Sequence, residues 1–169
     1  MKKCLNALLL VIICLTLFTG CNVNSSIIYV KAKGPGMSPT IKKGSTFKVN
    51  LACKCFERGD IVLFRAEGSE TYFQRIIALP NEKVEIKRNT KGEGIVTING
   101  KVLDEPYRRT LIETSPHKKA IHFGPFVVPE NSYFLLGDER DLAYDSRFWG
   151  AIEVDNIRGI VVIPKDEKE

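Results

Sequence analysis

Residues 34–40, Gly34-Pro35-Gly36-Met37-Ser38-Pro39-Thr40, form the stretch of this chain best suited to hold a reacting carbonyl. Glycine at 34 and 36 removes side-chain bulk, and proline at 35 and 39 fixes φ on either side. A turn of this kind brings backbone N–H groups close to a neighbour, which is the chemistry of an oxyanion site. Ser38 is its candidate nucleophile. In an extended chain, however, Ser38 would sit about 6.6 Å from Gly36, on the same face. Two later stretches accompany this one: Tyr72-Phe73-Gln74-Arg75-Ile76-Ile77-Ala78-Leu79-Pro80, and Gly137-Asp138-Glu139-Arg140 running on to Asp145-Ser146-Arg147-Phe148-Trp149-Gly150. The only histidines, His117 and His122, lie in a polar segment without an adjacent acid, so a Ser-His-Asp triad is not indicated.

The elements that must position these residues read as β. Residues 27–33 alternate and are rich in β-branched side chains. Strands follow at 46–51, 61–65, 72–79, 83–87, 94–98, 126–128, 133–136 and 157–163. Asn99-Gly100 is a hairpin turn, and Arg58-Gly59-Asp60 is a turn delivering the chain into the strand at 61, not an adhesion tripeptide. No stretch after residue 26 keeps a helical period, so the class is mainly β.

The chain has 169 residues, enough for one domain with a sizeable core. Its formal charge is +5, lower if Lys2 and Lys3 are removed, which does not suggest nucleic acid as a partner. Lys2 and Lys3 precede an apolar run from Leu5 to Phe18 and the small-residue end Thr19-Gly20-Cys21. That is the layout of an export signal. Gly20-Cys21 resembles the lipobox of bacterial lipoproteins, which implies a lipid on Cys21 and cleavage before it. The alternative is an uncleaved anchor, since residues 4–23 would span about 30 Å as a helix. Either reading holds the rest of the chain at the membrane, on its extracytoplasmic face. The expected organisation is a leader or anchor over 1–21, a tether over 22–26, a β domain over 27–165 and a charged tail over 166–169. Cys53 and Cys55 form a C-x-C pair with no second pair to complete a metal site, so neither metal nor cofactor is expected.

The boxes in order resemble the type I signal peptidases, the Ser/Lys membrane peptidases that remove leaders from exported proteins. The family pattern runs G-x-S-M-x-P-T, R-G-D-I-V, K-R-V-I-x-L-P-G-D and G-D-N-R-x-x-S-x-D-S-R-x-W-G. Here these stand at Gly34 to Thr40, Arg58 to Val62, Gln74 to Glu82 and Gly137 to Gly150. The resemblance implies a complex β fold of several small sheets after an N-terminal helix. It also implies a shallow peptide groove and an apolar surface near the membrane. It makes Gly34, Met37, Pro39, Thr40, Arg75, Asp138, Arg140, Asp145, Ser146 and Arg147 the groove and scaffold residues.

The departures fall on the reactive positions. Gly36 stands where the family has its serine nucleophile, Gln74 where it has its lysine base, and Ala143 where a serine orients that base. Serine acyl transfer needs a nucleophile and a group to take its proton. Glycine offers no attacking atom, a carboxamide takes no proton at working pH, and the guanidinium of Arg75 stays protonated. The expectation is a pseudoenzyme that binds exported peptide segments. Inactive members of the family assist pilin polymerisation, which implies exported proteins or pilin-like subunits as partners and a role in envelope or pilus assembly. The alternative is an active leader-cleaving serine endopeptidase with Ser38 as a relocated nucleophile.

Overall fold

A computed structural model describes residues 26–66, 70–108 and 122–163. The expected leader, Cys21, most of the tether, His117 and the charged tail lie outside the described residues. The mainly β expectation holds. Among the described residues the eleven strands are β1 (Ile27–Lys31), β2 (Thr46–Asn50), β3 (Ile61–Arg65), β4 (Thr71–Ala78), β5 (Lys83–Arg88), β6 (Gly94–Ile98), β7 (Lys101–Val102), β8 (Phe123–Val127), β9 (Ser132–Leu136), β10 (Ile152–Glu153) and β11 (Ile157–Val162). They form a seven-stranded sheet of order β1-β2-β11-β3-β4-β9-β10 and a four-stranded sheet of order β7-β6-β5-β8. One short helix, α1 (Ser146–Trp149), was not legible, because four residues are too few to show a period.

Sequence dictates these elements directly. Ile61-Val62-Leu63-Phe64 is a continuous apolar run, and all four side chains are buried because β3 lies mid-sheet, covered on both faces. Asn99 and Gly100 have φ of 51° and 80° and close the two-residue β6–β7 hairpin, as the dipeptide predicts. At the foot of β3, Gly59 takes φ 93° and the Glu57 N–H donates to the Asp60 carboxylate at 2.8 Å. This confirms Arg58-Gly59-Asp60 as a turn. Cys53 and Cys55 are unbridged thiols.

Three apolar clusters make the core. One joins the two sheets through Ile77, Val84, Ile86, Val96 and Phe134. A second seats Met37 and Ile41, from the glycine-proline turn, against Val49, Ile61 and Leu63. A third packs Phe56, Phe64, Ile76 and Ile157 beneath Tyr72 and Trp149. The second cluster fixes the turn. Met37 and Ile41 are 3% and 1% exposed, so the backbone between them cannot drift from the sheet without uncovering both.

Candidate functional site

The three stretches singled out in the sequence converge on one groove of about 260 Å³. Lys31, Lys33 and the turn through Gly36 form one wall. The first half of β4 forms the other, and Ala143 and Tyr144 close the end. β4 pairs with β3 from Thr71 to Arg75, but with β9 only from Arg75 onward. Residues 71–74 therefore keep an open edge.

The backbone polarity of that edge follows from its neighbours. The Ile76 N–H donates to the Asp60 carbonyl at 2.9 Å, and the Ala66 N–H to the Glu70 carbonyl at 2.9 Å. Even-numbered residues of β4 thus face β3. By alternation, the N–H and C=O of Thr71 and Phe73 face the groove. On the other wall the Ala32 N–H donates to the Ser45 carbonyl at 2.8 Å, and Ala32 accepts from the Gly44 N–H at 2.8 Å. The groups of Lys31 and Lys33 therefore also point away from their sheet neighbours. Two unpaired strand edges border one groove.

Gly36, Gln74 and Ala143, the positions at which the resemblance implies nucleophile, base and orienting hydroxyl, all line this groove. Gly36 packs flat on Ala143: a Cβ at 36 would lie 3.2 Å from the Ala143 Cα and 3.4 Å from its Cβ. Gly137 is tighter still, since a Cβ there would stand 2.3 Å from the Ala143 Cβ and 2.4 Å from the Gly36 oxygen. The Glu139 N–H donates to that same oxygen at 3.1 Å. Gln74 is buried, and its Nε2 donates to the Tyr144 carbonyl at 2.7 Å. Its Oε1 accepts no hydrogen bond in the structure. The carboxamide cannot be flipped to relieve this, because Oε1 would then face the Tyr144 oxygen. Ser38 is not among the residues lining the groove. Its N–H donates to the Pro35 carbonyl at 2.9 Å, inside the turn.

Beneath the groove is a network of buried charge. Arg75 grips Asp138 with two bonds, Nε to Oδ1 at 2.9 Å and Nη2 to Oδ2 at 2.6 Å. Its Nη1 donates to the Gly59 carbonyl at 2.8 Å. The Thr40 hydroxyl donates to Asp138 Oδ2 at 2.6 Å, tying the turn to the same carboxylate. Arg147 holds Asp145 through Nε at 2.7 Å and Nη2 at 2.8 Å, and Asp145 caps α1 through the Arg147 N–H. The Ser146 hydroxyl accepts from the Leu135 N–H at 2.9 Å, fastening α1 to β9. Arg140 donates to the Gly137 carbonyl at 2.8 Å and pairs with Glu105.

Of the expected scaffold residues, Gly34 and Met37 line the groove, Pro39 and Thr40 line a neighbouring cavity, and Arg75, Asp138, Arg140, Asp145, Ser146 and Arg147 are the bonded groups just described. Met37 lies in the core beneath the turn, Gly34 lines the groove, and Pro39 follows a cis peptide bond on the exposed side. Two members of the network were missed. Glu105 neutralises Arg140 from outside the recognised boxes. Tyr107 lies under the Arg75 guanidinium, 3.9 Å from ring centroid to Cζ. Burial, with the Glu105 carboxylate second, pushes the Tyr107 hydroxyl up to about 12. Neither residue sits in a motif, so no local signal announced them. Among the described residues no cluster suited to a metal ion occurs.

Fold and site together define a mainly β protein whose largest sheet leaves two open strand edges beside a glycine-rich turn. The comparisons with known proteins give that architecture its family. The family described as "Signal peptidase, peptidase S26" matches residues 3–165. The chain is 34% identical over 146 residues to signal peptidase IB of Staphylococcus aureus strain COL, covering 76% of this chain and 72% of that protein. It is 31% identical over 148 residues to signal peptidase I V of Bacillus subtilis strain 168, covering 82% and 85%. A crystal structure of a signal peptidase I from Enterococcus faecalis V583 aligns with a TM-score of 0.48 and 27% identity, over 64% of this chain and 97% of that one. The chain belongs to the signal peptidase family, peptidase S26.

Proposed function

We propose that this protein binds extended peptide segments of exported proteins without cutting them. The observation that carries the reading is the groove between Lys31–Lys33 and Thr71–Phe73. Its unpaired backbone groups suit an added strand, while the positions that would attack that strand are Gly36 and Gln74. Backbone hydrogen bonds on both sides give affinity, and small side chains suit the narrow floor at Gly36 and Ala143. Ground-state binding of this kind needs neither nucleophile nor base.

Purified protein held at high concentration with leader-bearing substrates should bind them and leave them intact, with Ser38→Ala indistinguishable from the parent. Cleavage that disappears in Ser38→Ala would establish an enzyme and end the non-cleaving reading. The partner class is exported proteins, including pilin-like subunits, and the role is envelope or pilus assembly. Photocrosslinks placed around Gly36 in intact cells should capture exported chains. Recovery of cytoplasmic proteins alone would reject this partner class.

The anchoring reading is a lipid on Cys21, holding the domain at the outer face of the bacterial cell membrane. No helix among the described residues is long and apolar enough to cross a membrane. The intact mass of membrane-extracted protein should correspond to a chain beginning at Cys21 with added acyl groups. A form beginning at Met1 without them would replace lipidation by an uncleaved helix.

A further inference from the structure

We propose that the peptide path does not end at the groove but continues past Tyr144 into a second cavity, which binds a polar, charged continuation of the same ligand. The inference rests on the peptide-binding reading above and deepens it. Three observations carry it.

The first is continuity. A second cavity, of about 540 Å³, lies on the far side of Tyr144, and Tyr144 lines both. Its ring is a fixed divider rather than a loose flap. It stacks on Phe148 at 4.6 Å between centroids and meets Trp149 edge-on at 4.8 Å. About half of the Tyr144 surface, 48%, remains open to solvent, so a chain can cross over it. The two cavities also flank the same hairpin. Glu70 and Thr71 line the first, and Arg65, opposite Thr71 in register, lines the second.

The second observation is backbone. The second cavity is bordered by Ile152 and Glu153 of β10, the terminal strand of the seven-stranded sheet, which pairs only with β9. An extended ligand leaving one open edge therefore meets another, and strand addition serves at both.

The third is chemistry. The first groove is walled by Gly36, Met37, Phe73 and Ala143, which suit small apolar side chains. The second offers a guanidinium, a carboxylate and a carboxamide, from Arg65, Glu153 and Asn156, against the ring of Trp149. Arg65, Glu153 and Asn156 are exposed, and none is in an ion pair among the described residues. Charges left uncommitted beside an aromatic wall suit a ligand that supplies the opposite charge, whereas in the first groove Lys31, Lys33 and Glu70 stand at the rim and the floor is apolar.

The test measures fluorescence anisotropy with three synthetic probes of extended peptide. The first, of about six residues with an Ala-x-Ala core, spans about 20 Å and occupies the groove alone. The second and third extend the same core to about twelve residues, with either an acidic or a basic continuation. Both extended probes should bind at least about tenfold more tightly than the short one, because the second contact is made within an already bound chain. Arg65→Glu should abolish the gain for the acidic continuation, and Glu153→Lys should abolish it for the basic one. Neither variant should alter binding of the short probe.

Equal affinity of short and long probes would overturn the second site and leave the groove reading standing. A gain for the long probes untouched by both variants would overturn its assignment to this cavity. Loss of affinity for the short probe in either variant would mean that no separate site exists. If no probe bound at all, this inference and the peptide-binding reading would fall together.

Discussion

Asp138→Ala should destabilise the fold by about 3–5 kcal/mol, the range for removing one partner of a buried ion pair. Asp138 is 0% exposed and accepts from Arg75 at 2.9 and 2.6 Å and from the Thr40 hydroxyl at 2.6 Å. Its removal leaves a buried guanidinium with only the Gly59 carbonyl and the Tyr107 ring for company. The cost arises more from stranding that charge than from losing the attraction itself. It also unties Thr40, and with it the turn that carries Gly36. Glu85→Ala is the control. Its pair with Lys87 is open to water, the Lys87 side chain being 67% exposed, so about 1 kcal/mol or less is expected. Urea unfolding of the two variants and the parent gives the comparison directly. An Asp138→Ala cost no larger than the Glu85→Ala cost would refute a structural role for the buried network.

The second large effect is a gain of activity. Gly36→Ser, Gln74→Lys and Ala143→Ser introduced together should produce leader cleavage where the parent shows none. The scaffold that would orient these groups is in place. Gln74 already points its Nε2 at the Tyr144 carbonyl, a position from which a lysine ammonium or amine could also donate. Burial there would favour the neutral amine that a general base requires. The obstacle is space. A Cβ at 36 would sit 3.2 Å from the Ala143 Cα, so the turn or residue 143 must yield by a few tenths of an ångström. Cleavage should accordingly be slow and detectable in long incubations followed by mass spectrometry. Gly36→Ser alone should not cut, since no base accompanies it. A folded triple variant that binds the substrate and never cuts it would show that the groove has drifted from a geometry able to catalyse.

Much of the fold was legible because its strands announce themselves. Ile61–Arg65 and Gly94–Ile98 were bounded to the residue, one by an unbroken apolar run and the other by alternation ending at Asn99-Gly100. β7 and β10 were not legible, since two residues carry no pattern and owe their conformation to the neighbours they pair with. The site was legible as a set of residues but not as a set of partners. Asp138, Arg140, Asp145 and Arg147 lie within one stretch, but they do not all pair among themselves. Only Asp145 and Arg147 do so. Asp138 takes Arg75 from β4, and Arg140 takes Glu105 from the segment after β7. Pairings across 63 and 35 positions are decided by how the sheets curl, which no local spacing encodes.

The open strand edges of the seven-stranded sheet have a consequence for solubility. A strand edge with free N–H and C=O groups will accept any extended chain, including a second copy of this protein or its own unfolded form. Lys31, Lys33 and Glu70 stand exposed along the rim of the groove. Two copies meeting through their β1 edges would have to bring these lysines together and bury them, a penalty that a ligand without like charges does not meet. The charged side chains at the rim therefore act as gatekeepers that keep these open edges from polymerising.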